Sequence, residues 1–194
     1  MSTLRTTNIQ HPDADEPNIV LAADGGVTID DLTATGLVTG KVLQVVSTNK
    51  TDTFASNGSN STFQTVTGLS VTITPSSATS KILVSTSEVW FPATANVTGV
   101  YLRVIRGATP IGVGDAAGSR QQAGFGSVLP AVQYGGQNFN WQYLDSPATT
   151  SATTYTVQVS TNSTVARLNY RGDDADSSAY ARWSSTITVQ EIGA

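Results

Sequence analysis

From Lys41 onward the chain alternates apolar and polar residues with a period of two, in short runs cut by clusters of Gly, Pro, Asn and Ser. A period of two sends successive side chains to opposite faces, so such a run buries one clean face only as a β-strand. The runs predicted as strands are 41–47, 61–67, 69–74, 81–91, 99–106, 109–113, 139–145, 153–160, 165–171 and 183–192. Val71 and Ile73 share a face, as do Ile82 with Val84, Tyr155 with Val157 and Val159, and Ala166 with Leu168 and Tyr170. In the last run Trp183, Ile187 and Val189 face one way, and Thr186, Thr188 and Gln190 the other. One-sided alternation is the pattern of antiparallel sheets with a single buried face. About ten short strands with regular turns predict an all-β antiparallel sandwich of the jelly-roll kind.

Residues 1–40 read differently and are predicted to form an extended N-terminal arm ahead of a head domain at 41–194. His11-Pro-Asp-Ala-Asp-Glu-Pro17 is polar, holds two prolines and has no periodicity, which favours extended chain. Asn18 to Gly26 reads as a short apolar strand entering a tight turn, with 27–29 as its partner. A hairpin of this size is unstable alone and needs something to pack on. Fully extended, forty residues reach on the order of 130 Å, a suitable length for a docking arm. Ile19, Val20 and Leu21 are its apolar anchor.

The segment from Gly114 to Asn138 breaks the pattern. A run of weak periodicity this long inside a compact domain is either functional or conceals a further strand.

Composition narrows the chemistry. Only 12% of the 194 residues are charged, which is a poor alphabet for helices, while abundant Thr and Val suit a pleated surface. A net charge of −4 with scattered Arg lacks the basic stripe that a phosphate backbone requires, so nucleic acid is not an expected partner. With no cysteine there are no disulfides and no thiolate metal sites. The first residues lack the apolar core of a signal peptide, and no run reaches the length of a membrane span. Synthesis in the cytoplasm without membrane insertion is the expectation.

Catalytic signatures are missing. A Ser-His-Asp triad would have to use His11, the one histidine, which precedes a proline in the arm. There is no nucleophile elbow, phosphate loop or zinc-binding helix motif. A glycosidase needs two carboxylates across a sugar cleft, and the head has few to offer: Asp52, Glu88, Asp115, Asp145, Asp173, Asp174, Asp176 and Glu191. Asp173, Asp174 and Asp176 crowd one short loop, an arrangement calcium favours, and a solvated turn between strands accounts for the same residues. No catalytic residue, metal ligand or cofactor is assigned.

Aromatic residues carry the remaining recognition signal. Trp90, Tyr101, Tyr155, Tyr170 and Trp183 lie in predicted strands and read as core or interface packing. Phe125, Tyr134, Phe139, Trp141 and Tyr143 lie in or beside the Gly-rich segment, among Gln and Asn. Rings so flanked are equipment for stacking on sugars or anchoring a protein interface. Filling the core or an oligomer axis is the competing use. Phe125, Tyr134, Phe139 and Trp141 are the candidate receptor or interface aromatics.

Three stretches carry a family resemblance. Thr6-Thr-Asn-Ile-Gln-His-Pro12 with Asn18-Ile-Val-Leu-Ala-Ala-Asp-Gly25 resembles the N-terminal region of fibre-like and minor structural proteins of tailed bacteriophages infecting marine bacteria. Gly40-Lys-Val-Leu-Gln-Val-Val46 and 69–84 are similar to the start of their globular domain, and 143–157 with 187–194 to its end. The resemblance implies a virion protein, a homotrimer, with an N-terminal attachment region and a C-terminal β-head. The arm is expected to dock onto another virion protein of tail or capsid, and the head to contact a host-surface glycan or protein through the 114–143 region. The resemblance assigns no residue to receptor contact. A capsid decoration protein or head fibre, and a compact glycan-processing enzyme, are the alternative readings.

Overall fold

The computed structural model describes residues 40–58, 62–94, 98–129, 135–172 and 174–193, together with the backbone of three short N-terminal strands. The chain divides into two units, Met1–Thr39 and Gly40–Ala194. In the first, β1 (Asn8–Ile9), β2 (Ile19–Leu21) and β3 (Val27–Thr28) form an antiparallel sheet in the order β1-β2-β3. Val20 lies opposite Asn8 on one side and Thr28 on the other, so Ile19-Val20-Leu21 is the central strand. The expected pairing of 19–21 with 27–29 is present, with β1 added; His11 to Pro17 lie outside the described residues.

Among the described residues the second unit comprises β4 (Val42–Lys50), β5 (Phe54–Ala55), β6 (Gln64–Ile73), β7 (Lys81–Pro92), β8 (Thr98–Arg106), β9 (Thr109–Ile111), β10 (Phe125–Leu129), β11 (Gln137–Asp145), β12 (Thr153–Thr161), β13 (Ala166–Leu168) and β14 (Ser185–Ile192). They make two antiparallel sheets. Several of these are halves of one strand position. β14 pairs with Lys81–Ser87 of β7 and β13 with Trp90–Pro92 on the same side, while β4 and β5 line up outside them. Likewise β9 takes the Val104–Arg106 half of one β8 edge and β10 the Thr98–Leu102 half.

Eight positions remain, ordered β4-β14-β7-β11 in the first sheet and β6-β12-β8-(β9, β10) in the second. Taken in chain order, the first position pairs with the eighth, the second with the seventh, the third with the sixth and the fourth with the fifth. That nesting is one long hairpin wrapped around a common core, the topology of a jelly roll.

The core follows the alternation. Ile82, Val84 and Trp90 of β7, Ile187 and Val189 of β14, Tyr155, Val157 and Val159 of β12, and Val100, Leu102 and Val104 of β8 are without solvent-exposed surface. Each such aliphatic side chain contributes about 1.5–3 kcal/mol on leaving water. Leu69 and Val66 stay buried because β6 is a single strand bulged near Gly68. The bulge absorbs the parity break that split this region into two predicted strands, 61–67 and 69–74.

Three other expectations change. The run 165–171 yields only β13, because Asn169 turns left-handed at φ 67° and leaves the ladder. Its buried side chain donates to the carbonyls of Lys50 and Asp52, 3.0 Å each, and accepts from Ser185 Oγ at 2.7 Å. Asn169 thus ties the β4–β5 link to the start of β14. The predicted strand 109–113 ends at Ile111, since Gly112 takes φ 55°. The weakly patterned segment 114–138 does contain a further strand, β10. An excursion, 113–123, precedes it and is pinned where it leaves and rejoins the sheet: Gly114 N–H donates to Ala123 O at 3.1 Å and Gly124 N–H to Leu102 O at 2.9 Å.

Candidate assembly and recognition surfaces

The outer face of the first sheet carries two contrasting zones. In register across four strands run Val45, Gln190, Leu83 and Leu144. Val45 is 58% exposed and Leu144 51%, with Leu83 and Gln190 half-buried between them. Leu43, 45% exposed, and Ile192 extend the strip toward the beginning of the head. Beyond it lie two uncharged polar rows, Ser47-Thr188-Ser85-Gln142 and Asn49-Thr186-Ser87-Asn140. An apolar strip crossing a whole sheet differs from scattered surface Leu or Val, and such contiguous patches mark contact surfaces.

Sequence reasoning passed over this strip, though a signal was there. Val42-Leu43-Gln44-Val45-Val46 and Ile82-Leu83-Val84 place apolar residues on both strand faces, which is the pattern of a strand covered on both sides.

The predicted aromatics separate. Phe125 and Trp141 come together, ring centroids 5.5 Å apart and stacked, and Tyr143 continues the stack 5.8 Å beyond Trp141. They sit where the 113–123 excursion leaves the sheet: a Cβ on Gly112 would fall 2.6 Å from the Trp141 ring and 2.7 Å from that of Tyr143. The indole therefore braces the base of the loop, and glycine is required for its close approach. Phe139 is corrected. At 7% exposure it belongs to the core, because it shares with Trp141 and Asp145 the inward parity of β11. Tyr134 lies outside the described residues. Ile19, Val20 and Leu21 are placed as the central arm strand, with their side chains outside the described set.

The carboxylates are held by structure. Glu88 is fully buried on the inner face of β7; its Oε2 accepts from Trp90 Nε1 at 2.8 Å, and its Oε1 has no partner among the described residues. Burial pushes its pKa up to about 7, against the lowering effect of the Trp90 hydrogen bond. Glu191, also buried, shows the opposite outcome. Burial raises its pKa, but hydrogen bonds from Gln44 Nε2 (2.6 Å) and from Ser76 Oγ (2.6 Å) and N–H (2.7 Å) outweigh that and bring it down to about 2. Its job is to fasten the turn after β6 to β14. Asp145 accepts from Arg106 Nη1 at 2.8 Å and from the Tyr155 hydroxyl at 2.7 Å. Burial and that hydrogen bond push the Tyr155 phenol well above its ordinary value.

In the acidic loop Asp174 pairs with Arg182 at 2.5 Å, Asp176 is exposed, and Asp173 lies outside the described residues. Among the described residues no cluster of His, Cys, Asp or Glu is placed to hold a metal ion.

No family model and no curated protein matches the chain. Among solved structures it is similar to a protein of the icosahedral particle of infectious bursal disease virus, at 15% identity over 89% of this chain and 44% of that one, with a TM-score of 0.37. Similar values hold for the Gx strain of the virus, 14% identity over 91% and 44% with a TM-score of 0.37. For its subviral particle they are 15% identity over 78% and 37%, with a TM-score of 0.30. The chain spans less than half the length of these viral proteins.

Proposed function

We propose that the chain is a non-enzymatic structural component of a tailed-phage virion, a short homotrimeric tail fibre or spike that docks through its N-terminal arm and turns its head to the host surface. The observation that carries this reading is the apolar strip on the first sheet, Leu43, Val45, Leu83 and Leu144, left open to water in the single chain. Covering such a strip with copies of the same chain is the ordinary outcome of symmetric assembly. The arm supports docking by strand addition, since its sheet has strands of two and three residues and, among the described residues, two edges without a further strand. A sheet this small gains its stability from a partner. The buried carboxylates support a non-enzymatic role, because Glu191 and Asp145 are engaged by donors and Glu88 is sealed in the core.

Deleting residues 1–30 is expected to abolish incorporation into particles while the melting temperature of the head stays unchanged. Immunodetection on purified particles, with calorimetry of the truncated protein, checks both. Normally decorated particles would contradict arm docking, and capture of the intact protein by capsid shells instead of tails would move its place on the virion.

A further inference from the structure

On the outer side of the second sheet, the pinned 113–123 loop overhangs a cleft of about 440 Å³ lined by Tyr101, Ser119, Arg120, Gln121 and Asn162. We propose that this cleft binds a carboxylated saccharide, a sugar unit bearing both hydroxyls and an acid group. The proposal deepens the host-contact half of the reading above and is independent of the assembly half, which rests on the other sheet.

The cleft is built and held. Tyr101 and Asn162 pack against Gly99 so closely that a Cβ at 99 would fall 2.7 Å from the tyrosine hydroxyl and 3.0 Å from the Asn162 carboxamide. Asn162 is locked in place twice: its Oδ1 accepts from Gly99 N–H at 2.7 Å, and its own N–H donates to Gly99 O at 3.3 Å. That orientation leaves its side-chain NH₂ as a donor for a ligand. The roof is equally fixed. Arg120 N–H closes a turn onto Ala117 O at 3.2 Å, Gln122 Nε2 donates to Gly114 O at 2.9 Å, and the two loop ends are tied as described. Gln121 Oε1 is buried and has no hydrogen-bond partner among the described residues.

The chemistry of the lining selects the ligand. It offers one aromatic ring, two hydroxyls, two carboxamides and one guanidinium and, among the described residues, no carboxylate. An aromatic surface with planar amides suits a ring whose edge is a row of hydroxyls. The guanidinium adds a fork-shaped partner for a carboxylate. Arg120 is exposed and spends one donor on a long 3.4 Å contact to Ala117 O, so most of its fork faces outward. A single Arg on a chain of net charge −4 is too little for a nucleic-acid backbone. A peptide would look for apolar anchor pockets that this lining lacks.

The test uses the intact protein and isothermal titration with oligogalacturonate, with a neutral galacto-oligosaccharide of the same length as control. The expected result is saturable binding of the acidic oligomer, weaker binding of the neutral one, and about a tenfold loss for the acidic oligomer alone in Arg120→Gln. Tyr101→Ala should weaken both. Arg120 is exposed, so Arg120→Gln should keep the parent's melting temperature and solution mass, which separates a failed site from a failed assembly. Absence of saturable binding to either oligomer, or acidic binding unchanged in Arg120→Gln, would overturn the proposal.

Discussion

Trp90→Ala is expected to lower the unfolding free energy of the head by about 4 kcal/mol at pH 5, and by more at pH 8. The first part is a packing loss. Trp90 is fully buried, meets Phe54 edge-on at 6.3 Å, and occupies the β7 position where β13 and β11 both pair. The second part comes from Glu88, which accepts a hydrogen bond from the Trp90 indole. Glu88 has a folded pKa of about 7 against an ordinary 4.5, so the neutral acid is the form the core tolerates. Its contribution to stability is fully present below about pH 4.5 and is lost as pH rises through about 7.

Between pH 5 and pH 8 the parent head should therefore lose about 2 to 3 kcal/mol. Removing the indole donor steepens that loss. Glu88→Gln, which keeps an acceptor for Trp90 and cannot ionise, should flatten the profile. Urea titrations at the two pH values check all three, and parallel profiles for parent and Glu88→Gln would contradict the assignment.

Arg106→Ala should destabilise the head by about 3 kcal/mol, although Arg106 is partly exposed. Asp145 is 5% exposed and relies on Arg106 and Tyr155 for its hydrogen bonds. Without the guanidinium the carboxylate keeps one phenol donor in a site that has already excluded most of its water. A buried charge left short of partners costs more than the pair ever contributed. Asp145→Asn on the Arg106→Ala background should restore part of the loss, because the uncompensated charge is gone. Thermal unfolding of the single and double variants reads the difference; equal stability of the two would show that the charge is hydrated after all.

The sandwich was legible in the sequence because each strand states its own face. Ile82/Val84, Tyr155/Val157/Val159 and Ile187/Val189 alternate without a break, and all of them are core. What failed was wherever a local backbone event interrupts the period. Gly68 inserts a bulge and joins two predicted strands into one; Asn169 leaves the ladder at positive φ and shortens another. β10 was hidden because Phe125-Gly-Ser-Val-Leu129 has weak alternation and finds its place only along the half of the β8 edge that β9 leaves vacant. Phe139 was misjudged by its neighbours: its Asn138 and Asn140 flanks face outward while the ring faces in.

The surfaces were less legible than the core. The apolar strip is a product of register, which brings Val45, Leu83 and Leu144 into line from three distant parts of the chain. The cleft joins Tyr101 and Asn162 to Arg120 only after the excursion folds back over β8. The two-faced apolar runs 42–46 and 82–84 mark their strands but not the alignment, and the cleft has no local sequence mark.

The measurement that reaches the central claim most directly is the solution mass of the full-length protein by multi-angle light scattering, alongside a Val45→Asp, Leu144→Asp variant. Both positions are exposed in the single chain, so the variant head should fold. A trimer is expected for the parent and a folded monomer for the variant. A parent that stays monomeric at high concentration, or a variant that remains trimeric, would contradict the assignment of this strip as the assembly face.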